Sequence, residues 1–314
     1  MGSEQQDRSL STVIITHRKG RMFERTLESV LRYRLPPDEI IVIDDGGWDW
    51  KVVEPVIDRV VYVPVEHRGY RLALMCNIGL QISSSKIFLK LDGDCIPSKD
   101  LMVEARQIGD REIVSFRVDW DEGGKIRPDW RFLDGVINPA CRGEPERYFW
   151  GGAIAGHRST LLKLGGFRED LFSGSWGGEE VDLGLRSKYR GIRVRLEGKT
   201  GVIHQHHPRP RGGGEKKLDQ AYREYTQGVF PESLIPFERL KLYSDVESER
   251  LRKVLFGQLR ASSCDWVVLT ESLSFPRLRV DQHSARDYLS LTPPKGGILR
   301  GNGILFCHLL VPLP

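Results

Sequence analysis

The chain has 314 residues, 39% of them hydrophobic and 29% charged, with a net charge of +4. That balance excludes a disordered chain, and its length suits one large α/β domain with an extension, or two domains. The mild positive charge gives no basis for nucleic-acid binding, though it suits anionic ligands locally. No stretch approaches the roughly 20 apolar residues that span a bilayer, and Met1 to Ser9 carries no apolar signal core. Five cysteines, odd in number and without CxxC spacing, argue against a disulfide framework and for a reducing, cytoplasmic compartment.

In chain order, Leu10 to Thr16 reads as a first strand, followed by the polar loop His17-Arg18-Lys19-Gly20. Met22 to Tyr33 has helical spacing through Phe23, Leu27, Val30 and Leu31, and Pro36-Pro37 stops it. Glu39 to Ile43 is a second buried strand, ending in Asp44-Asp45-Gly46-Gly47, and Arg59 to Val65 is a third. A helical stretch from Arg71 to Gln81 leads to the strand Lys86 to Leu91. Strands alternating with helices predict an α/β fold, a mostly parallel sheet covered on both faces. There is no Gly-x-Gly-x-x-Gly and no P-loop, so dinucleotide and ATP-hydrolase readings lose their fingerprint.

The strand from Lys86 ends in Asp92-Gly93-Asp94. Ligands of open α/β sheets bind beyond the carboxyl ends of strands. Two carboxylates there offer hard oxygen ligands to Mg²⁺ or Mn²⁺, and Gly93 lets a ligand approach. An EF-hand loop fails, because Ile96 stands at a ligand position and Pro97 where Gly is needed. Asp44 and Asp45 occupy the same sheet edge, where a carboxylate can accept from a uracil imide or a ribose. Thr16, His17 and Arg18 follow strand one at that edge.

Beyond residue 110, Ile113 to Trp120 reads as a strand, then a Gly/Pro-rich stretch, then the glycine-rich β segment Trp150 to His157 and a short helix from Ser159 to Leu164. Trp176-Gly177-Gly178-Glu179-Glu180-Val181-Asp182 opens a helix running to Tyr189. Three acids in a first turn suit the positive end of a helix, and Asp182 with Arg186 predicts an i,i+4 ion pair. Two glycines beside a Trp also make a wall for a sugar ring next to a carboxylate. Short strands at Arg193 to Leu196 and Gly201 to Ile203 lead to His204, His206 and His207; alternation puts His204 and His206 on one face, a candidate metal ligand pair. The basic, glycine-rich segment Arg209 to Lys217 reads as a loop and a candidate lid, and Leu240 to Leu259 as an amphipathic helix. The apolar end, Ile304 to Pro314, either packs on the body or makes a peripheral contact with a membrane surface or partner.

Taken in order, these features resemble a GT-A-fold glycosyltransferase of the family 2 type over about residues 10 to 210. The resemblance rests on Thr16-His17-Arg18, Val42-Ile-Asp44-Asp45-Gly46, Cys76-Asn77-Ile78-Gly79, Asp92-Gly93-Asp94 and Gly165-Gly166-Phe167-Arg168-Glu169. The segment from Trp176 is similar to the Trp-Gly-Gly-Glu-Asp motif of β-1,4-galactosyltransferases. It departs from the family at Cys76-Asn77, where Arg-Asn is usual and Arg71 would supply the cation, and at His17-Arg18, where an aromatic or Asn is usual.

The resemblance implies a Rossmann-like, mostly parallel GT-A sheet in residues 1–227, with a nucleotide-binding half (1–110), an acceptor-binding half (111–227) and an extension over 228–314. It implies a UDP-linked sugar donor, a glycan or small-molecule acceptor hydroxyl, and Mn²⁺ or Mg²⁺. Thr16, His17, Arg18, Asp44, Asp45, Arg71, Asn77, Asp92 and Gly93 would hold the donor. Asp94, with Asp92 and His204, or His206 in its place, would hold the metal. Glu180 would be the base of an inverting displacement, a retaining outcome being the alternative, with Glu179 beside it, and Trp176, Gly177, Gly178 and Asp182 would bind the acceptor. The alternatives are a non-catalytic sugar-nucleotide or glycan-binding module and a metal-dependent phosphoesterase.

Overall fold

The computed structural model describes residues 9–35, 38–65, 67, 69–174, 177–208 and 215–234. It also places the strands Leu240–Tyr243, Asp265–Leu269, Ile298–Gly301 and Leu309–Pro312. The first half is built from β1 (Leu10–Thr16), α1 (Arg21–Tyr33), β2 (Glu39–Asp45), β3 (Val61–Val65), α2 (Leu72–Ile82) and β4 (Ile87–Asp92). The strands run parallel in the order β3-β2-β1-β4. β1 is buried along its whole length, as a strand covered on both faces must be. Alternation sends Val13, Ile15, Ile41 and Ile43 to one face, against α2, and Ile14, Val42, Leu89 and Leu91 to the other, against α1. Phe23, Thr26, Leu27 and Val30 supply the buried stripe of α1 at helical spacing.

The second half adds β5 (Cys95–Pro97), α3 (Lys99–Ala105), β6 (Glu112–Asp121), β7 (Ala153–His157), α4 (Arg158–Lys163), α5 (Glu179–Tyr189), β8 (Arg193–His204) and α6 (Glu215–Thr226). The same sheet continues from β4 through β7, β6, β8 and β5. β7 runs antiparallel to β4 and β6, β8 runs parallel to β6, and β5 pairs antiparallel with the end of β8. The sheet is therefore mostly parallel, with its reversed strands in the second half.

Three differences from the sequence reading have physical causes. The two short strands after Arg193 are one strand, β8, with a register shift between Glu197 and Gly201; the bulge absorbs the polar Gly198-Lys199-Thr200 without ending the ladder. Lys216 and Lys217 belong to α6, not to a loop, and the rest of the candidate lid, 209–214, lies outside the described residues. Leu240 begins a strand paired with Leu309–Pro312, so that part of the expected helix is overridden by a partner some seventy residues away. The remainder of it lies outside the described residues. No helix among the described residues is long and apolar enough to cross a membrane.

Candidate active site

The carboxyl ends of β1, β2 and β4 share one edge, with Ile15 opposite Asp92 and Thr16 opposite Asp44. Beyond β4 the chain turns at Gly93, whose N–H donates to the Ile15 carbonyl at 2.8 Å. A Cβ at Gly93 would sit 2.9 Å from that oxygen, so this turn admits only glycine. β5 then pairs with β8 in a register that sets His204 opposite Cys95. This pairing, made across more than a hundred residues, brings the histidines to Asp94. His207 Nε2 is 2.9 Å from Asp94 Oδ2, and His204 Nε2 is 3.7 Å from Oδ1. Lys19 makes an ion pair with the same carboxylate. Burial works to raise the Asp94 pKa, but His207, Lys19 and His204 outweigh it and hold the group well below the usual carboxylate range.

Lys90 lies in the middle of β4 with 0% exposure. Its Nζ is 2.7 Å from Asp92 Oδ1 and 2.7 Å from Glu180 Oε1. A charge is tolerated in such a place only when paired. Burial disfavours the ammonium, but Asp92 and Glu180 overcome this and hold its pKa well above the ordinary lysine value. One buried cation thus clamps the first acid of the Asp-Gly-Asp turn to an acid in the first turn of α5. Burial, with Asp94 and Glu180 adding to it and Lys90 opposing, raises Asp92 to about 6. Breaking a buried pair by removing one partner costs about 3–5 kcal/mol. Lys90→Met should therefore lose about 3 kcal/mol, the lower end, because both carboxylates keep some contact with water. Urea unfolding measures this; an unchanged midpoint would mean that the two acids find another counter-charge.

Glu179, beside Glu180, is 1% exposed. Neither of its carboxylate oxygens has a hydrogen-bond partner among the described residues. Burial and the neighbouring Glu180 push it up to about 8. Gly178 precedes it at φ 106°, with Phe172 where a Cβ would stand, so the approach to α5 also requires glycine. A cleft of about 740 Å³ opens over these groups, and Thr16, His17, Asp45, Arg71, Asp92, Gly93, Asp94, Gly177, Gly178, Glu179, Glu180 and His204 all line it. His17 stacks on His67 at 4.5 Å, and His67 Nδ1 meets Asp45 Oδ2 at 2.8 Å.

Other candidates are turned to structural work. Asp44 is buried, accepts from Tyr62 Oη and from the Trp48 and Asp49 amides, and does not line the cleft; burial pushes it up to about 7. Asn77 straps α2 to the segment after α4 through both main-chain groups of Phe167. Arg18 lies over the Trp48 ring at 4.0 Å. Asp182 is fully buried against Arg186, at 2.7 Å, and Tyr225. His206 is exposed and does not line the cleft; it lines an adjoining pocket of about 220 Å³ that shares His204, His207 and Arg127 with it. The chain leaves the sheet after His204, so alternation no longer applies, and His207 rather than His206 returns to Asp94. Trp176 lies outside the described residues.

Sequence reading did not single out Lys19, His67, Lys90 or His207 as site residues. Lys90 had a signal, a charge inside an apolar strand two residues before Asp92 and so on the same face. His207 also had one, as the third member of the imidazole cluster with His204 and His206, though alternation favoured its two neighbours. Lys19 and His67 had none, since nothing local marks one loop lysine or lone histidine above the next.

The sheet order and the reversed strand beside β4 are those of a GT-A fold, and its glycosyltransferase matches make the protein a glycosyltransferase. Its residues 11–164 match the model of the Glycosyl transferase family 2 domain. Validoxylamine A glucosyltransferase of Streptomyces hygroscopicus subsp. limoneus is 26% identical, covering 88% of this chain and 69% of its own length. Chondroitin synthase of Pasteurella multocida (strain Pm70) is 24% identical over 78% of this chain and 29% of its own length. Among solved structures, S. aureus TarS 1-349 in complex with UDP-GlcNAc superposes with a TM-score of 0.55 at 16% identity, covering 80% of this chain and 71% of that one. GalNAc-T7 with UDP, GalNAc and Mn²⁺ gives 0.51 at 21% identity, covering 69% of this chain and 50% of that one.

Proposed function

We propose that the protein transfers a sugar from a nucleoside diphosphate sugar, UDP-linked, to an acceptor hydroxyl with inversion. The observation that carries this is the Lys90 clamp. It holds an acid of the donor-side turn and an acid of α5 in one cleft, each 2.7 Å from the same ammonium. Solved structures of similar fold include complexes with UDP-GlcNAc and with UDP and Mn²⁺, which supports the choice of donor. Asp45 has one buried oxygen without a partner among the described residues, suited to accept from a uracil imide. Arg71 and Lys19 line the cleft and supply positive charge for a diphosphate.

The donor set fits a divalent cation. Single ligand atoms of Asp94, Cys95 and His204 lie within 4.8 Å of one another. Burial pushes the Cys95 thiol well up, so it stays protonated, and Asp94 with His204 and Asp92 would hold the ion. Carboxylate and imidazole suit Mn²⁺, and carboxylate and water suit Mg²⁺. When bound, such an ion neutralises charge on the leaving diphosphate. Glu180 takes the proton of the acceptor hydroxyl as its oxygen attacks the anomeric carbon. The bond from that carbon to the diphosphate breaks on the opposite face, which inverts the centre. Lys90 holds Glu180 in place, and Glu179 receives acceptor hydroxyls.

Incubating the full chain with UDP- and GDP-sugars and Mn²⁺, with and without candidate acceptors, tests the reading. Glycosylated acceptor and free UDP in equal amounts are the expected result. Free sugar at the same rate without any acceptor would instead indicate a phosphoesterase or hydrolase, and binding without turnover a non-catalytic module.

A further inference from the structure

The cleft has a second wall that the transfer chemistry leaves unused. Trp130 and Trp150 line it. Their ring centroids are 5.9 Å apart, and Tyr148 packs edge-on to both at 5.6 and 5.8 Å. Trp130 is 47% exposed and, with Trp150 and Tyr148, forms an aromatic cluster rather than a single exposed ring, the kind of patch that marks a binding groove. The wall is rigid. Fully buried Arg131 donates to the Tyr148 and Trp150 carbonyls at 2.8 and 2.9 Å, and to the Phe116 carbonyl at 3.0 Å. It is paired with Asp129 at 2.6 Å, and its guanidinium lies 5.0 Å from the Trp150 ring centroid. Asn138 holds the Trp130 carbonyl at 3.1 Å. A buried charge network spent on the backbone beside two half-open tryptophans pre-orders them.

We propose that Trp130 and Trp150 form a stacking platform for the ring of a cyclic polyol, a pyranose or cyclitol, which is the acceptor. This rests on the transfer reading for the word acceptor, but the platform itself does not. Aromatic faces are electron-rich and favour the C–H face of such a ring. Its hydroxyl rim needs acceptors nearby, and the same cleft holds Glu179, almost fully buried with both oxygens unpartnered among the described residues. Arg127 lines it too. A purely apolar ligand would cover the tryptophans and leave Glu179 without a partner; a linear polyol would satisfy Glu179 and leave the rings uncovered. A cyclic polyol does both.

Saturation-transfer NMR on the full chain tests this with methyl β-D-glucopyranoside and myo-inositol as ring probes and sorbitol as the open-chain control, each with and without UDP. The ring C–H protons should receive saturation and sorbitol little. Trp130→Ala and Trp150→Leu should each weaken ring binding by roughly two- to ten-fold, the size of one aromatic contact, and Trp130→Phe should restore most of it. The thermal midpoint checks folding of each variant, and UDP affinity should not move. Tryptophan-dependent ring binding in a protein that binds no UDP would leave the platform standing and sink the donor reading. Ring binding that is absent, equal for sorbitol, or indifferent to both tryptophans would overturn the platform even if UDP binds.

Discussion

Glu180→Gln should lose about a hundred- to ten-thousand-fold in transfer rate, the usual cost of removing a general base, with UDP affinity unchanged. The amide keeps the shape and can still accept from the Lys90 ammonium, which lies 2.7 Å from Oε1 in the wild type. What it cannot do is take a proton. Glu179→Gln is the informative comparison. With its pKa raised to about 8 by burial and by Glu180, Glu179 is mostly a neutral acid at pH 7, so a neutral amide changes little charge. Its loss should appear mainly in the acceptor KM. The raised pKa also carries a sign for stability. From the ordinary 4.5 up to about 8, the folded protein keeps a proton that the unfolded chain releases. Stability therefore falls as pH climbs through that window, and Glu179→Gln should flatten the slope. Wild-type turnover in Glu180→Gln, with loss in Glu179→Gln, would move the base to the neighbouring residue.

Asp94→Ala should bring transfer down by roughly a thousand-fold or more, the several kcal/mol that charge neutralisation at a leaving group supplies. It should also abolish the Mn²⁺-dependent part of UDP binding, measured by calorimetry with and without the ion. The mutation has a second consequence, because Lys19 and His207 lose the carboxylate that pairs with both. Chelation of the wild type separates the two effects, since it removes the ion and leaves those pairs intact. His204→Ala should raise the Mn²⁺ requirement well above that of His206→Ala, because His204 lines the cleft 3.7 Å from Asp94 while His206 is exposed and does not line it. Undiminished activity in chelator, or a full-rate Asp94→Ala, would end the metal assignment.

Much of the frame was legible because it depends on local pattern. Buried runs such as Leu10 to Thr16 and the stripe of α1 have short periods, and an Asp-Gly-Asp at the end of a run reads as a strand edge wherever it falls. The neighbouring acids Asp44 and Asp45 show where that legibility stops. Their side chains point opposite ways from one strand, Asp44 to Tyr62 and the Trp48 and Asp49 amides, Asp45 to the cleft. The same holds for Glu179, Glu180 and Asp182, three acids in one turn, of which Asp182 is spent on Arg186 and Tyr225.

The sequence alone determined the alternation of strands and helices, the sheet edge at which the acids gather, and the Asp-Gly-Asp and Glu-Glu pairs, since each follows from residue type and spacing within a dozen positions. The tertiary structure decided which acid meets which cation. Lys90 reaches Glu180 across ninety residues, and His207 reaches Asp94 because β5 and β8 pair with His204 opposite Cys95. A charge buried in a strand must find its partner through space, and only the packed sheet fixes where that partner stands.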